Sequence, residues 1–485
     1  MTTSPNNNFV FIFSDQHNKE FVGRKNPVFQ TPNLDALAAR GTAFERAYTN
    51  CPICVPERAS LATGRFVHQI GNWDNAHPYH GENESWHHVL REHGVDVTVI
   101  GKLHFRSADD DNGFTEEIDT LHVFDKGDLH GCIRDDRAEV RHKRKEIIGA
   151  GSGDSTYLEY DARIADQAVD WLKKRVAAQN GKPWLLWVSF VCPHPPYLAP
   201  KRWFDEYADK ELPAPAQVNS EDWNRHPSLE LLRHLHDQEV PFTEDQITQM
   251  NRAYAASISN LDENIGKVLG VIEELNLEST TNIVYSTDHG ESRGSRGLFG
   301  KFTMYQESAA IPFIAAGPDF SSGEVSNIPV SLIDLFPTFV ENFGITREPA
   351  DGRPGVALPK LIAQPPDERY VFSEYHALHF QNGVFMVCDG RYKYIHYHNE
   401  PAELYDLDLD PEETTNLCGL ERAAAVEKRL QEALHSFVDP ELVDQQAKAS
   451  QVALIEVNGG VDAVLKRGHF NNSPTPGESA DFSNH

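Results

Sequence analysis

The sequence predicts an α/β fold, a mostly parallel central sheet with helices on both faces, followed by a smaller C-terminal α+β subdomain. Three observations carry this expectation. Short apolar runs alternate with helical periodicity from the N-terminus to about residue 345, the texture of βαβ units. A chain of 485 residues exceeds what one hydrophobic core usually organises. Beyond about Pro365 the pattern changes to short strand-like pieces and one helix. The expected boundaries are 1–365 for the α/β domain, 366–443 for the subdomain and 444–485 for a C-terminal arm.

Residues 9–14, 95–100, 184–191 and 282–287 are apolar runs of strand length and read as buried strands. Thr31-Pro32 supplies a cap and an N1 proline for a helix that Gly41 closes. The longest helix begins at Thr243, where Gln246 completes a capping box. Its apolar positions Ile247, Met250, Tyr254, Ile258, Leu261, Ile265 and Leu269 step by three or four, which makes one core-facing stripe. Segments 106–155 and 199–241 lack periodicity and read as irregular excursions, the first of them near the functional site. In the subdomain, 370–373, 384–388 and 392–397 read as strands, 404–417 as a loop with a helix after it. From Asp444 the arm starts helical, with Val452, Leu454 and Ile455 as apolar anchors, and ends polar. Such an extension frays unless it docks on its own domain or on a neighbouring subunit.

The formal net charge of -29 disfavours nucleic acid, anionic membranes and sulfated polymers at long range, and favours a small substrate. Residues 1–8 lack a basic n-region, and the apolar run that follows is too short for a signal peptide or a membrane span. Cytoplasmic residence is therefore expected. Cys51, Cys54, Cys132, Cys192, Cys388 and Cys418 are scattered, which is no disulfide framework. Cys51 and Cys54 form a CxxC, but no second one exists to complete a zinc site.

The chemistry concentrates around Cys54-Val55-Pro56-Glu57-Arg58 and Leu61-Ala62-Thr63-Gly64-Arg65. Pro56 suits a first helical turn, which places Cys54 at a helix N-terminus, where an anion is favoured and a thiol pKa lowered. Alone, Cys-x-Pro-x-Arg also describes a capped helix with a buried cysteine. Asp15-Gln16 and Asp288-His289-Gly290 each follow a strand, and in open α/β sheets ligands gather beyond the carboxyl ends of strands. Two Asp, one Gln and one His then form a divalent-metal set. Lys102 and His104 in Gly-Lys-x-His, His194 in Cys-Pro-His-Pro-Pro-Tyr, and Lys301 after Gly300 supply cationic and polar groups to the same edge.

Together these motifs resemble the sulfatase family, and the resemblance runs from Phe9 to about Leu417. It implies an alkaline-phosphatase-like fold and oxidation of Cys54 to formylglycine by a maturation enzyme that reads Cys-x-Pro-x-Arg. Glu57 departs from the family's usual Ser or Ala, which bears on the efficiency of that conversion. The resemblance makes Asp15, Gln16, Asp288 and His289 the ligands of one divalent ion, with position 54 completing the shell. Calcium is the family default, and the nitrogen ligand makes manganese the alternative. The Gln and His variants at the second and last ligand positions resemble choline sulfatases and phosphonate monoester hydrolases.

The implied reaction starts with a hydrated formylglycine attacking sulfur as a covalent nucleophile. Arg58, Lys102 and Lys301 neutralise the sulfuryl oxygens, and Asn75 adds a polar contact. His194 with Lys301 protonates the departing alcohol or phenol, and His104 accepts the proton from the second hydroxyl as sulfate leaves. The expected partners are a small sulfate ester, the maturation enzyme and further copies of the chain in a dimer or tetramer. That last expectation follows from the C-terminal arms of similar choline sulfatases and phosphonate hydrolases.

Two other readings use the same residues. A phosphonate monoester or phosphodiester hydrolase shares the metal set and the formylglycine, but has Tyr and Thr where this chain has Lys102 and His104. A catalytically silent anion-binding protein with unmodified Cys54 would have no need of His104 or His194.

Overall fold

The computed structural model describes residues 7–346, 351–480 and 482. At its centre lies an eight-stranded sheet. In chain order its strands are β1 (Asn8–Asp15), β2 (Gly41–Phe44), β3 (Asp96–Lys102), β4 (Glu116–Leu121), β5 (Trp184–Pro193), β6 (Thr281–Thr287), β7 (Ile314–Ala316) and β8 (Glu324–Ser326). They are arranged β8-β2-β7-β6-β1-β5-β3-β4. Every neighbouring pair is parallel except those of β7, which runs antiparallel to β6 and β2.

The alternation of β1 shows how the layers assemble. Phe9, Phe11 and Phe13 enter one core with Trp187 and Phe339, while Val10 and Ile12 enter the other with Leu261 and Ile265. A strand whose two faces are both covered has no polar positions to alternate with, which is why it reads as one apolar run. Each fully buried side chain of this size contributes about 1.5–3 kcal/mol. Helices α1 (Pro32–Ala39), α3 (Thr156–Ala178) and α4 (Glu244–Glu274) supply the second core, and α2 (Cys54–Thr63) and α5 (Leu335–Asn342) the first. The capping box of α4 forms as expected, and six of its seven stripe residues are buried, Ile247 partly so.

A four-stranded antiparallel sheet, β9 (Val371–Tyr375), β10 (Val384–Cys388), β11 (Tyr392–Tyr397) and β12 (Glu403–Asp406), builds the subdomain with α6 (Ala424–Phe437). Its core continues into the larger domain through Cys51, Ile53 and Phe302, so the two share one apolar cluster.

Several sequence expectations are corrected. Gly41 does not cap α1: Arg40 occupies that position and Gly41 opens β2. Segment 106–155 contains edge strand β4 and the helix Arg144–Ile148. Segment 199–241 contains the helices Lys201–Glu206 and Pro227–Leu235, and the loop expected at 404–417 begins inside β12. The boundary at 444 falls within α7 (Pro440–Val457), where Asp444 is buried against Arg134 at 3.1 Å. A last helix, α8 (Val461–Arg467), follows. Ile455 and Val464 pack on Leu129, Cys132 and Ile133, so the arm docks on its own chain, while Val452 stays exposed. Among the described residues no helix is long and apolar enough to cross a membrane.

Candidate active site

Ser14 of β1 lies beside Thr287 of β6 in parallel register, so Asp15 and Asp288 leave the sheet at the same edge. Lys102 ends β3, His194 follows β5, and Cys54 opens α2 above them. Gly101 makes the β3 delivery possible: its φ is 103°, and a Cβ would lie 2.1 Å from the Ser189 carbonyl oxygen. The Leu-x-Thr-Gly-Arg half of the motif is architectural. Gly64 ends α2 in the left-handed region, with Phe336 against it.

Cys54 Sγ lies 3.2 Å from His289 Nε2, 3.6 Å from Asp15 Oδ1 and 2.8 Å from Lys301 Nζ. One ligand atom each from Asp15, Cys54, Asp288 and His289 falls within 4.8 Å of every other, and all four residues are buried. The His289 Nδ1–H donates to the Gly290 carbonyl at 3.1 Å, which leaves the Nε2 lone pair facing the cluster. Gln16 gives its Nε2 to Glu291, and its Oε1 is buried without a partner.

These groups fit a divalent cation. Burial works against an ionised Asp15, yet Lys102, His194, Lys301 and His289 hold its carboxyl well below the usual range. Burial and the neighbouring Asp15 push Asp288 up against the pull of Arg58. Two carboxylates and a lone-paired imidazole gathered within one cluster, with an orphan amide oxygen on the neighbouring Gln16, are the donor types a divalent cation takes.

Arg58 departs from the sequence expectation. It bonds Asp288 Oδ2 at 3.0 Å, Asp15 Oδ2 at 3.4 Å, the Lys102 carbonyl at 2.8 Å and Ser189 Oγ at 3.1 Å. Fully buried, it is not part of the cavity wall, and its bonds go to the two carboxylates, the Lys102 carbonyl and Ser189. Lys102 likewise pairs with Asp15, at 2.6 Å. The cavity is walled by Cys54, Gln16, Asn75, His104, His194 and Lys301 from the expected set. Asn75 Oδ1 accepts the Val55 N–H at 3.3 Å, at the first turn of α2.

Burial, reinforced by nearby cations (Lys102 and Arg58 for His104, Lys301 and Lys102 for His194), lowers both histidines well below the ordinary imidazole value. Burial opposes the Lys301 charge, but Cys54, Asp15 and Asp288 raise its pKa overall. The Cys54 thiol is pushed up to about 11, by burial first and Asp15 second, instead of being lowered at its helix N-terminus. Here desolvation outweighs the helix dipole. The unusual Glu57 is fully buried, and its Oε2 accepts Thr49 Oγ1 at 2.8 Å and the Asn50 and Cys51 N–H groups at 2.7 and 2.6 Å. It thus ties down the loop that leads into Cys54.

A sequence model of the sulfatase family matches residues 7–345. The chain belongs to the sulfatase family. A second model, of the C-terminal region of N-sulphoglucosamine sulphohydrolase, matches residues 294–439. Choline-sulfatase of Rhizobium meliloti (strain 1021) is 31% identical over 433 residues, covering 86% of this chain and 83% of that one. Arylsulfatase K of Danio rerio is 26% identical over 455 residues, 89% of this chain and 84% of that one. Among solved structures, the phosphonate monoester hydrolase of Agrobacterium radiobacter superposes with a TM-score of 0.72 at 22% identity, over 89% of this chain and 95% of that one. A protein in complex with its substrate D-glucosamine-2-N,6-O-disulfate gives 0.70 at 21% identity, over 92% and 98%. These two establish the alkaline-phosphatase-like sulfatase fold, and the family membership makes the chain a sulfuric ester hydrolase.

Sequence reasoning missed three features of this sulfatase. Arg141, Lys143 and Glu146, from the segment read as irregular, wall the far side of the cavity. Phe470, Asn471 and Ser473 close it from the C-terminal end, beyond the reach of both family models, and Ser473 Oγ lies 2.9 Å from His104 Nε2. Glu291 joins Gln16, and its only sequence signal was its place directly after Asp288-His289-Gly290.

Proposed function

We propose that this sulfatase hydrolyses a small sulfate ester at position 54, with one divalent ion held by Asp15, Gln16, Asp288, His289 and position 54. The observation that carries the reading is the buried Cys54 Sγ between His289 Nε2 at 3.2 Å and Lys301 Nζ at 2.8 Å. A divalent ion there would supply Lewis-acid charge beside the reacting position. Calcium and manganese both suit a set of oxygens with one imidazole. Oxidation of Cys54 to formylglycine by a maturation enzyme would supply a hydrate nucleophilic toward sulfur, whereas the thiol, at about 11, stays protonated at neutral pH.

The chain's own groups divide the remaining work. Arg58 and Lys102 hold Asp15 and Asp288 in place. Lys301 keeps its proton and stands nearest the reacting atom, so it donates to the departing alkoxide. His194 donates its Nδ1–H to the Pro195 carbonyl at 2.8 Å, and burial with Lys301 and Lys102 nearby keeps Nε2 unprotonated, so of the pair expected to protonate the leaving group Lys301 is the one that carries the proton. A neutral His104 is suited to accept a proton at position 54 when sulfate leaves. Cytoplasmic residence and a homo-oligomer belong to the same proposal. The remaining cysteines, Cys51, Cys132, Cys192, Cys388 and Cys418, are unpaired thiols, which supports a reducing compartment.

The fold likeness to a phosphonate monoester hydrolase keeps that activity as the competing reading. Matched aryl sulfate and phenyl phosphonate monoester substrates decide between them. The wild type is expected to show the higher kcat/KM on the sulfate, and the double change Lys102→Tyr with His104→Thr to narrow the ratio. A wild-type preference for the phosphonate would overturn the sulfatase assignment of the substrate.

A further inference from the structure

Glu291 is fully buried and receives four hydrogen bonds. Oε2 accepts Gln16 Nε2 and, at 2.8 Å, the Tyr197 hydroxyl. Oε1 accepts the backbone N–H groups of Arg293 at 2.9 Å and Gly300 at 2.6 Å. The Arg293 N–H lies two residues along Glu291's own loop, and each of the other three donors belongs to a different part of the site. Gln16 follows β1, Tyr197 lies three residues past His194, and Gly300 directly precedes Lys301. One carboxylate therefore ties together the metal-ligand segment, the His194 segment and the Lys301 segment.

The consequence for Gln16 is chemical. A side-chain amide has a donor end and an acceptor end, and a carboxylate only accepts. Facing Glu291, the amide must present its NH2 group, and its Oε1 is turned the other way. That oxygen is buried with no hydrogen-bond partner, in a residue that lines the cavity beside Cys54 and whose backbone N–H bonds Asp288 at 3.1 Å. A buried acceptor left without a donor is unfavourable unless a cation completes it. Were the amide reversed, its NH2 would face the cation site and repel the ion. Groups bonded behind metal ligands set ligand orientation in this way, and their loss typically weakens metal binding by about 10–100-fold.

We infer that Glu291 is the positioning residue that fixes the Gln16 amide with its oxygen toward the metal, while anchoring the Lys301 and His194 segments to the same point. This rests on the metal reading given above. The test is calorimetric titration of Mn2+ alone into full-length enzyme stripped by a chelator, with no substrate present. Glu291→Gln is expected to weaken binding by about 10–100-fold, because a glutamine at 291 also accepts a reversed Gln16 amide. Gln16→Ala should lose a similar amount, and the double variant Gln16→Ala with Glu291→Gln no more than the weaker single one, since both act on one contact. Tyr197→Phe removes a donor to Glu291 but leaves Gln16 in place, and should bind Mn2+ like the wild type. Glu291→Asp, milder toward the fold, is read in the same way: weaker binding alone, and no further loss in a Gln16→Ala background. Wild-type affinity in the Glu291 variants, or losses that add in the double variants, would overturn the inference. Absence of Mn2+ binding in the wild type would instead overturn the metal reading beneath it.

Discussion

Replacing Arg58 with alanine separates a group that holds the site together from one that touches substrate. The guanidinium has no solvent exposure and makes four contacts of 2.8–3.4 Å, two of them to Asp15 and Asp288. Removing one partner of a buried ion pair typically costs about 3–5 kcal/mol, because the other charge stays buried without compensation. The metal-free protein should therefore lose about that much stability in urea unfolding. Added Mn2+ should raise the melting temperature of Arg58→Ala by more than that of the wild type, because the ion replaces part of the missing positive charge. The protein is best prepared with Cys54 unmodified, since position 58 belongs to the maturation motif. A metal-free stability within about 0.5 kcal/mol of wild type, the range of ordinary surface substitutions, would refute the structural role. It would restore the direct sulfuryl contact that the sequence suggested.

Two further outcomes follow from the C-terminal region. Asp74 and His77 pair at 2.8 Å beneath α7, where Gln451 Nε2 reaches Asp74 Oδ2 at 2.8 Å and Ser450 Oγ meets His77 Nε2 at 3.2 Å. Burial lowers the imidazole but Asp74 raises it further, so His77 ends above 6.5; burial likewise fails to offset His77 at Asp74, which ends below 3.8. The histidine's contribution is thus complete below 6.5 and lost as pH rises through its raised folded value, while that of Asp74 is complete above 3.8 and lost as pH falls through its lowered one. The stability difference between wild type and His77→Gln should be larger at about pH 5.5 than at about pH 8.5, and equal differences in urea midpoint would contradict the pairing. Truncation before Gly468 removes the Ser473 hydroxyl from His104 and opens the Phe470 wall. One lost hydrogen bond of about 1 kcal/mol corresponds to about a fivefold lower kcat on a small aryl sulfate, with bulkier esters losing less. Unchanged kinetics on both would show that the segment does not serve the site.

What the sequence revealed and concealed divides by range. Strands β1, β3, β5 and β6 were legible because burial on both faces writes itself as an apolar run, and the residues just past their ends follow from that. β4 was not: Glu116–Leu121 is a polar edge strand, half exposed along most of its length. The helix Pro227–Leu235 carries an N1 proline and a His226 cap, but segment 199–241 contains enough other prolines to hide them. The roles of Arg58, Glu291 and Ser473 depend on partners as far apart as 230, 275 and 369 positions in the chain, and no local pattern encodes such contacts. The thiol pKa of Cys54 was misjudged for the same reason. The helix N-terminus is visible in the motif, whereas the burial and the Asp15 charge that outweigh it come from elsewhere.

The proposed chemistry requires position 54 to act as formylglycine and not as cysteine. Preparations matured to different extents can be digested and the peptide spanning residue 54 quantified by mass spectrometry, with turnover of an aryl sulfate measured on the same samples. Activity is expected to be proportional to the aldehyde fraction and to vanish with it, because a buried thiol at about 11 is protonated at neutral pH. Full turnover by protein carrying only the free thiol would contradict it.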